Sequence, residues 1–563
     1  MALSLPPERV AVAKADALRL PWLPLQRLLL GSMLALLVIV GWKARTKIEL
    51  FSGDELTYIE LSQALERGSY REVYRPSEPL HVKYPPGYPA WLVIVRTLTG
   101  NHIELIPAAN LAVVSAALLL LVSVARRLRD NWFAVAMLAP IVLNHGVIWM
   151  GDSYYSEGFY LLVTMGALYA TVRADEGDRR WCYAAIALAV LSFLTRSVGI
   201  AMVAAVGVWL LFNHRRPAVI ITHIVASGLA VGGWFGYVLW AQKGQAVRSY
   251  LYDFNPEGFE RNPFSIFRVI VRVLGSVKEY AAQAMPYEFA LPVIPWLRVP
   301  SKALWLLVIV VALGVGVVLL WKRWRAAAVY LVAYAGVLAT FPYTPPRLLD
   351  PIVPLTYLTI LLGAWKLAER LPARANMASR VVLLALLVFG AARSAAGRVR
   401  GMSTCDRSDP YRNGGGCYDR RTVSLIDASR VIAAQSDSTD FVLAWRATTV
   451  HFISERLTES ALVAEQVPLG EFGASLRARR IRFVVLTSMH LFERRQLADQ
   501  LIASCMELRL VQTFDTGTIL LETKPWTTPE ESACAALTVY RREHPRPYIP
   551  VFDGPIPPAD GRG

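Results

Sequence analysis

Carboxylates, arginines and tyrosines recur in this chain at the borders of long apolar runs, and three such places have the residue types for chemistry. One is Asp54-Glu55, with Tyr58 a turn later, in Phe51-Ser52-Gly53-Asp54-Glu55-Leu56-Thr57-Tyr58. Another is Gly151-Asp152-Ser153-Tyr154-Tyr155-Ser156-Glu157, and the third is Thr344-Pro345-Pro346-Arg347-Leu348-Leu349-Asp350-Pro351. Lys83 and Tyr84 precede Pro85-Pro86-Gly87, and Arg196 interrupts an apolar run at Thr195-Arg196-Ser197. A carboxylate takes a proton from an attacking hydroxyl or amine. Arginines and lysines hold a phosphate as its charge develops. Oxygen donors at Asp54, Asp152 and Glu157 suit Mg2+ or Mn2+, although lysine and arginine do the same work on a phosphate. Each residue also has a plainer use. Ser52 or Asp54 caps a helix whose positive end favours Glu55. Lone arginines snorkel to an interface and tyrosines anchor there. His145 reads equally well as a polar residue satisfied by a neighbouring helix, and the spacing of His81 and His102 pairs them with nothing.

The elements that must position these residues are apolar. Of 563 residues, 55% are hydrophobic and 18% charged, with a net charge of +16. A disordered chain is excluded by the apolar content and a small disulfide scaffold by the length. A nucleic-acid binder fits the charge but not runs such as Leu304 to Leu320, so no nucleic-acid partner is expected. A helix crossing a hydrocarbon core of about 30 Å needs roughly 20 apolar residues. Runs reach or approach that length at about 25–42, 104–125, 131–150, 157–173, 181–195, 198–213, 218–241, 303–321, 326–342, 351–368 and 378–396. The reading is a polytopic α-helical membrane protein of about eleven spans.

Arginine and lysine orient it, because short cytoplasmic loops are basic. With the N-terminus inside, every inner loop is basic: Arg126-Arg127-Leu128-Arg129, Arg179-Arg180, Arg215-Arg216, Lys322-Arg323-Trp324-Arg325 and the stretch from Lys366 to Arg380. The first apolar run leads to Trp42-Lys43-Ala44-Arg45 rather than to a cleavage site, and reads as a first span. An odd span number puts the C-terminus outside, at an inner (plasma) membrane. Three regions are then external: a first loop at 43–103, a second at 242–302, and a domain at 397–563 after the transmembrane domain of 1–396. Within the second loop, the stretch 249–256 reads as a solvated loop. Cys405, Cys417, Cys505 and Cys534 all fall in the external domain, where 405–417 and 505–534 are the local pairings. Strand-like 441–445 and 481–486 alternate with helical patterns, so this domain reads as α/β with a small parallel sheet and a proline-rich tail. No phosphate-binding glycine loop follows either strand.

In order, topology and sidedness these segments resemble the GT-C superfamily of polyprenyl-phosphate-sugar glycosyltransferases, nearest to the protein O-mannosyltransferases and the lipid A aminoarabinose transferases. Asp54-Glu55 stands where that family has an acidic pair in a long first outer loop. The stretch from Ile59 to Leu65 matches its surface helix, and Tyr84 to Pro89 its proline-rich segment. Asp152 to Glu157 falls at its second acidic site, and Arg347 resembles its late Arg-x-x-x-P element. The resemblance covers about residues 28–400. Two departures argue against the aminoarabinose reaction specifically. Thr57 replaces the arginine three residues after the acidic Asp, and Tyr84 separates Lys83 from Pro85.

The resemblance implies an inverting sugar transfer from a polyprenyl-phosphate donor to an extracytoplasmic glycan, lipid or protein acceptor. Asp54 is then the base and Glu55 a second carboxylate. Arg347, Arg196 and Lys83 bind the donor phosphate. Asp152 and Glu157 orient the acceptor or a metal, and Tyr58 and Tyr84 line the sugar site. An O-antigen polymerase or ligase is the nearest rival. A transporter would carry mid-span charges or a repeat, which this sequence does not clearly display.

Overall fold

The computed structural model describes residues 24–44, 53–243, 266–285, 289, 298–341, 346–403, 418–489, 493–523 and 533–545. The stretch 249–256, the Cys405–Cys417 pairing and the proline-rich tail lie outside the described residues. The described residues fall into two compact units. One is drawn from 1–47, 82–240 and 248–403, and the other from 48–81, 241–247 and 404–563.

The first unit is helical. Six of its helices are long and apolar enough to cross a bilayer: Leu25–Ala44, Ile103–Leu128, Pro217–Ala241, Ala303–Arg323, Pro346–Ala368 and Ala373–Arg400. A seventh span is the bent pair Asn131–Val142 and His145–Asp152, whose axes meet at 70°. The bend follows from capping. Asp130 accepts from the Phe133 amide at 2.7 Å to start one helix, and Asn144 accepts from the Val147 amide at 3.1 Å to restart the chain as another. The remaining apolar runs also form helices, Glu157–Asp175, Arg180–Thr195, Ile200–Asn213 and Arg325–Thr340. At 1.5 Å per residue, the 16-residue helix Arg180–Thr195 spans about 24 Å, short of a hydrocarbon core. By length and composition six helices qualify, or seven if the bent pair is one span, and Arg180–Thr195, Ser197–Asn213 and Arg325–Thr340 are shorter apolar helices. The fold is that of a multi-pass α-helical membrane protein.

Small residues let two helices of this unit cross closely. A Cβ on Gly363 would fall 1.8 Å from the Ala312 carbonyl, and one on Gly316 would fall 2.0 Å from that of Thr359. Ala312-x-x-x-Gly316 thus packs into Thr359-x-x-x-Gly363, an arrangement in which small residues replace hydrophobic driving force by close van der Waals approach.

The second unit contains a five-stranded sheet in the order β2-β1-β3-β5-β4. The strands are β1 (Phe441–Ala444), β2 (Thr458–Ser460), β3 (Ile481–Leu486), β4 (Leu508–Thr513) and β5 (Ile519–Thr523). β1 is parallel to β2 and β3, but β5 is antiparallel to β3 and β4. The sheet is therefore mixed, where the sequence suggested a parallel one. Alternate residues feed two cores: Leu443, Val484 and Leu486 face one, while Val442, Ala444, Phe483 and Val485 face the other with Leu425, Ala428 and Ile432 of the helix Arg420–Gln435. Burial on both faces explains the apolar runs Phe441–Ala444 and Phe483–Leu486. Cys505 and Cys534 form a disulfide that ties β4 to the helix Cys534–Glu543.

Residues 53–81 belong to this second unit, not to the helical one that flanks them in sequence. The helix Asp54–Glu66 is buried on most of its surface, including Glu55, Thr57, Tyr58 and Glu60. It is not the amphipathic surface helix that the pattern from Ile59 to Leu65 suggests.

Candidate active site

In the helical unit the candidate residues gather around the turn 152–157. The bent helix pair delivers Asp152 to it, and the helix Glu157–Asp175 starts from it. Asn110 braces the turn from the helix Ile106–Leu128, its Nδ2 donating to the carbonyls of Ser153 at 2.7 Å and Tyr155 at 3.4 Å. The Tyr88 hydroxyl donates to the Tyr154 carbonyl at 2.7 Å. Tyr88 follows Gly87, where an added Cβ would fall 2.7 Å from the Leu194 backbone. That close approach explains glycine after Pro85-Pro86, and it seats the Lys83-Tyr84 segment beside the end of the helix Arg180–Thr195.

Arg196 is the extended residue that ends this helix, with φ −149° and ψ 136°. Its Nη1 stands 2.7 Å from Glu157 Oε1 and donates to Ser156 Oγ, also at 2.7 Å. The Glu157 side chain is fully buried. Among the described residues neither of its oxygens receives a well-aligned hydrogen bond, so Glu157 keeps acceptor capacity. Asp152 differs. Arg398 donates from Nε to Oδ2 at 2.9 Å and from Nη2 to Oδ1 at 2.6 Å, a bidentate clamp on a buried carboxylate. Arg347 lies in the short turn Pro346–Leu348, its Cζ 4.7 Å from the centre of the Tyr155 ring. The Tyr334 hydroxyl holds that turn by donating to the Leu348 carbonyl at 2.7 Å. Lys83 rides over the Tyr84 ring at 5.3 Å.

The helical unit thus brings together Asp152, Glu157, Arg196 and Arg347, with Tyr154 and Tyr155 forming the turn between the two carboxylates, while Lys83 and Tyr84 meet each other just before the Gly87-Tyr88 segment that reaches this turn. Arg398, Asn110, Tyr88 and Tyr334 escaped the sequence reading. Arg398 follows the last apolar run among Arg393 and Arg400, and looks there like an ordinary end-of-span cation. Nothing in the sequence selects it.

Asp54, Glu55 and Tyr58 stand in the second unit. Asp54 is half-buried, whereas Glu55 and Tyr58 are buried. Gly53 initiates their helix in the left-handed region, φ 72°, which a side chain rarely adopts. Its carbonyl accepts from the Thr57 amide at 3.0 Å and from the Thr57 hydroxyl at 2.8 Å. The buried Thr57 hydroxyl is thus turned back onto its own helix, where the family pattern has an arginine.

A second charged cluster ties 72–81 to the sheet. Arg75 Nε donates to Glu459 Oε1 at 2.6 Å and Nη1 to Glu72 Oε2 at 2.9 Å. Ser77 donates to Glu459 at 2.7 Å, Tyr74 to Glu72 at 3.0 Å, and His81 Nδ1 lies 2.9 Å from Glu72. Burial alone would raise the Glu72 carboxyl, but the His81 hydrogen bond and the Arg75 charge hold it down to about 2. Burial works against the charged form of Arg75, yet the charges of Glu72 and Glu459 raise its affinity for its proton.

Among the described residues no three His, Cys, Asp or Glu side chains are grouped to hold a metal ion, and Asp152 and Glu157 each carry an arginine.

No family model matches the sequence, nor does any curated protein. Solved structures do match. Apo ArnT from Cupriavidus metallidurans superposes with a TM-score of 0.50 at 15% identity, over 88% of this chain and 98% of that one. The Archaeoglobus fulgidus oligosaccharyltransferase, in complex with zinc and sulfate, gives 0.52 at 12% identity, over 89% and 74%. A second ArnT structure from Cupriavidus metallidurans, bound to undecaprenyl phosphate, gives 0.49 at 15% identity, over 89% and 99%. ArnT and the oligosaccharyltransferase are GT-C glycosyltransferases. The chain has the GT-C fold, as the sequence resemblance implies.

Proposed function

We propose that this protein is a membrane glycosyltransferase that moves a sugar from a polyprenyl-phosphate donor to an extracytoplasmic glycan, lipid or protein acceptor. The observation that carries the reading is the turn 152–157, where Arg196 and Arg398 meet two buried carboxylates and Arg347 lies over the Tyr155 ring, within an apolar helical unit of GT-C fold. Charges taken out of water at this depth are costly, and such residues are generally functional. The Cupriavidus enzyme, whose fold this chain shares, has also been determined bound to undecaprenyl phosphate.

In the proposed reaction an acceptor hydroxyl or amine attacks the anomeric carbon. The bond from that carbon to the donor phosphate oxygen breaks, and the configuration inverts. Asp54 takes the acceptor proton, and the half-exposure of its carboxylate favours it over the buried Glu55, which supports it. Arg347, Arg196 and Lys83 receive the phosphate charge, all three side chains being half-buried and so within reach of a ligand. Glu157 orients the acceptor through the acceptor capacity that Arg196 leaves it. Asp152, with both oxygens bound by Arg398, holds the turn in shape. Tyr58 and Tyr84 line the sugar site.

The basic loops support an N-terminus in the cytoplasm and an extracytoplasmic C-terminal domain at 397–563, with eleven spans in an inner membrane. Purified protein is to be incubated in detergent with a panel of labelled polyprenyl-phosphate sugars. Consumption of at least one, lost on Asp54→Asn, is the expected result; a protein that binds and consumes none is not this enzyme.

A further inference from the structure

The acidic pair and the sheet belong to one unit, though almost 400 residues of sequence separate them, and the contacts that join them begin next to Asp54. Thr448 Oγ1 lies 3.4 Å from the Gly53 carbonyl, and a Cβ on Gly53 would fall 2.9 Å from that same hydroxyl. Thr448 is in the helix Ala447–Ser454, between β1 and β2. The next fixed points follow along the chain. The Thr458 amide, at the start of edge strand β2, donates to the Tyr74 carbonyl at 2.9 Å. Tyr74 packs its ring against His451 at 6.3 Å. Glu459, the next residue of β2, receives Arg75 and Ser77, and Arg75 in turn holds Glu72 and, through it, His81. Segment 53–81 is therefore fixed at both ends by β2 and the helix before it.

We infer that Thr448 and Glu459 are positioning residues for Asp54, and that the sheet-bearing domain takes part in the reaction by holding the helix that carries the base. The inference rests on the proposed glycosyltransferase reading for its chemistry, and on the 53–81 contacts alone for its geometry. A half-buried carboxylate that takes the proton of an attacking acceptor must keep its place within a fraction of an ångström, because proximity and alignment supply much of the rate. A 13-residue helix on a loop has no such precision by itself. The Gly53 carbonyl, one peptide bond from Asp54, lies against a threonine fixed between two strands. Glu459 serves as the distal anchor, since its charge holds Arg75 and Ser77 together.

The test uses the full-length protein in detergent with Glu459→Gln, Thr448→Val and Thr448→Ser. Hydrogen exchange decides the geometry. In Glu459→Gln, amides of 54–66 are expected to exchange about tenfold faster, while β1 and β3 keep their protection. Unchanged exchange in 54–66, or equal loosening of the sheet, overturns the inference. Turnover decides the chemistry, using whichever labelled donor of the panel the wild type consumes. Glu459→Gln is expected to lower kcat about tenfold with KM within about twofold, Thr448→Val to lower it about threefold, and Thr448→Ser to restore it. A raised KM with kcat intact overturns the positioning role. If the wild type consumes no donor, the glycosyltransferase reading fails, and with it the role toward the base, whereas the exchange result still accepts or rejects the clamp on 53–81.

Discussion

In the helical unit both oxygens of Asp152 are bound by a single guanidinium, that of Arg398, 246 residues away. In the sheet-bearing unit Glu72 and Glu459 share Arg75 and draw also on Tyr74, Ser77 and His81. A bidentate buried pair fixes two helices with directional precision, and removing one charge costs the other its strongest partner. A network spreads the same burial over several donors, so each loss is partly made good by neighbours. The first arrangement suits a rigid turn in an apolar bundle. The second suits a long loop that must be held at several points.

The largest effect separates the units by chemistry. Asp54→Asn is expected to lower turnover about 10²- to 10⁴-fold, the contribution typical of a general base. The same change leaves the thermal unfolding midpoint in detergent where it was. Arg347→Ala should instead weaken use of the donor, seen as a raised KM. If both substitutions act only on stability, the division of labour between the units is wrong.

Next in size is the bidentate pair. Arg398→Ala removes the guanidinium that binds both oxygens of a buried carboxylate and is expected to cost about 3–5 kcal/mol in reversible unfolding. The double change Asp152→Leu with Arg398→Met should recover most of it. A mild Arg398→Ala effect would erase the contrast between pair and network.

The network carries an acid dependence of known sign. Glu72 is held down to about 2 from an ordinary 4.5, so its stabilisation is fully present above about 4.5 and is lost as the pH falls from there toward 2. Unfolding measured across that window is expected to fall on the order of 3 kcal/mol in the wild type. It should fall by much less in Glu72→Gln.

Glu369 gives the smallest effect and serves as a control. It receives Lys366 at 2.9 Å and Arg129 at 3.0 Å, but its side chain is 35% exposed. Glu369→Gln should cost no more than about 1 kcal/mol, less still in high salt.

How legible all this was depended on the range of the forces. A bilayer fixes helix length, so each apolar run expected to span does form a helix, and Thr195-Arg196-Ser197 does separate two of them. Six or seven meet the length test rather than eleven, because runs such as Arg180–Thr195 stop near 16 residues. The strands at Phe441 and Ile481 announced themselves by their runs of apolar and β-branched residues, but composition is silent on direction, and β5 runs antiparallel to β3. At the site, the acidic and basic residues of 152–157, 196 and 347 were visible because charge beside an apolar run is conspicuous. Arg398 was hidden among equivalent arginines. The Arg75–Glu459 contact, 384 residues apart, leaves no local trace, and Glu459 reads like any surface glutamate in a short strand.

That separation also sets a clock. Ribosomes add about 5–20 residues per second, so Glu459 emerges roughly 20–80 s after Arg75. During that interval the helix Asp54–Glu66 and the loop behind it exist without the strand edge that completes them. Glu72 and Arg75 spend the wait without Glu459. Fixing the helix of the acidic pair is therefore among the last events in making this protein, and a chain cut short before β2 would have its first loop with the Glu72–Arg75–His81 contacts but without the Thr458 and Glu459 anchors.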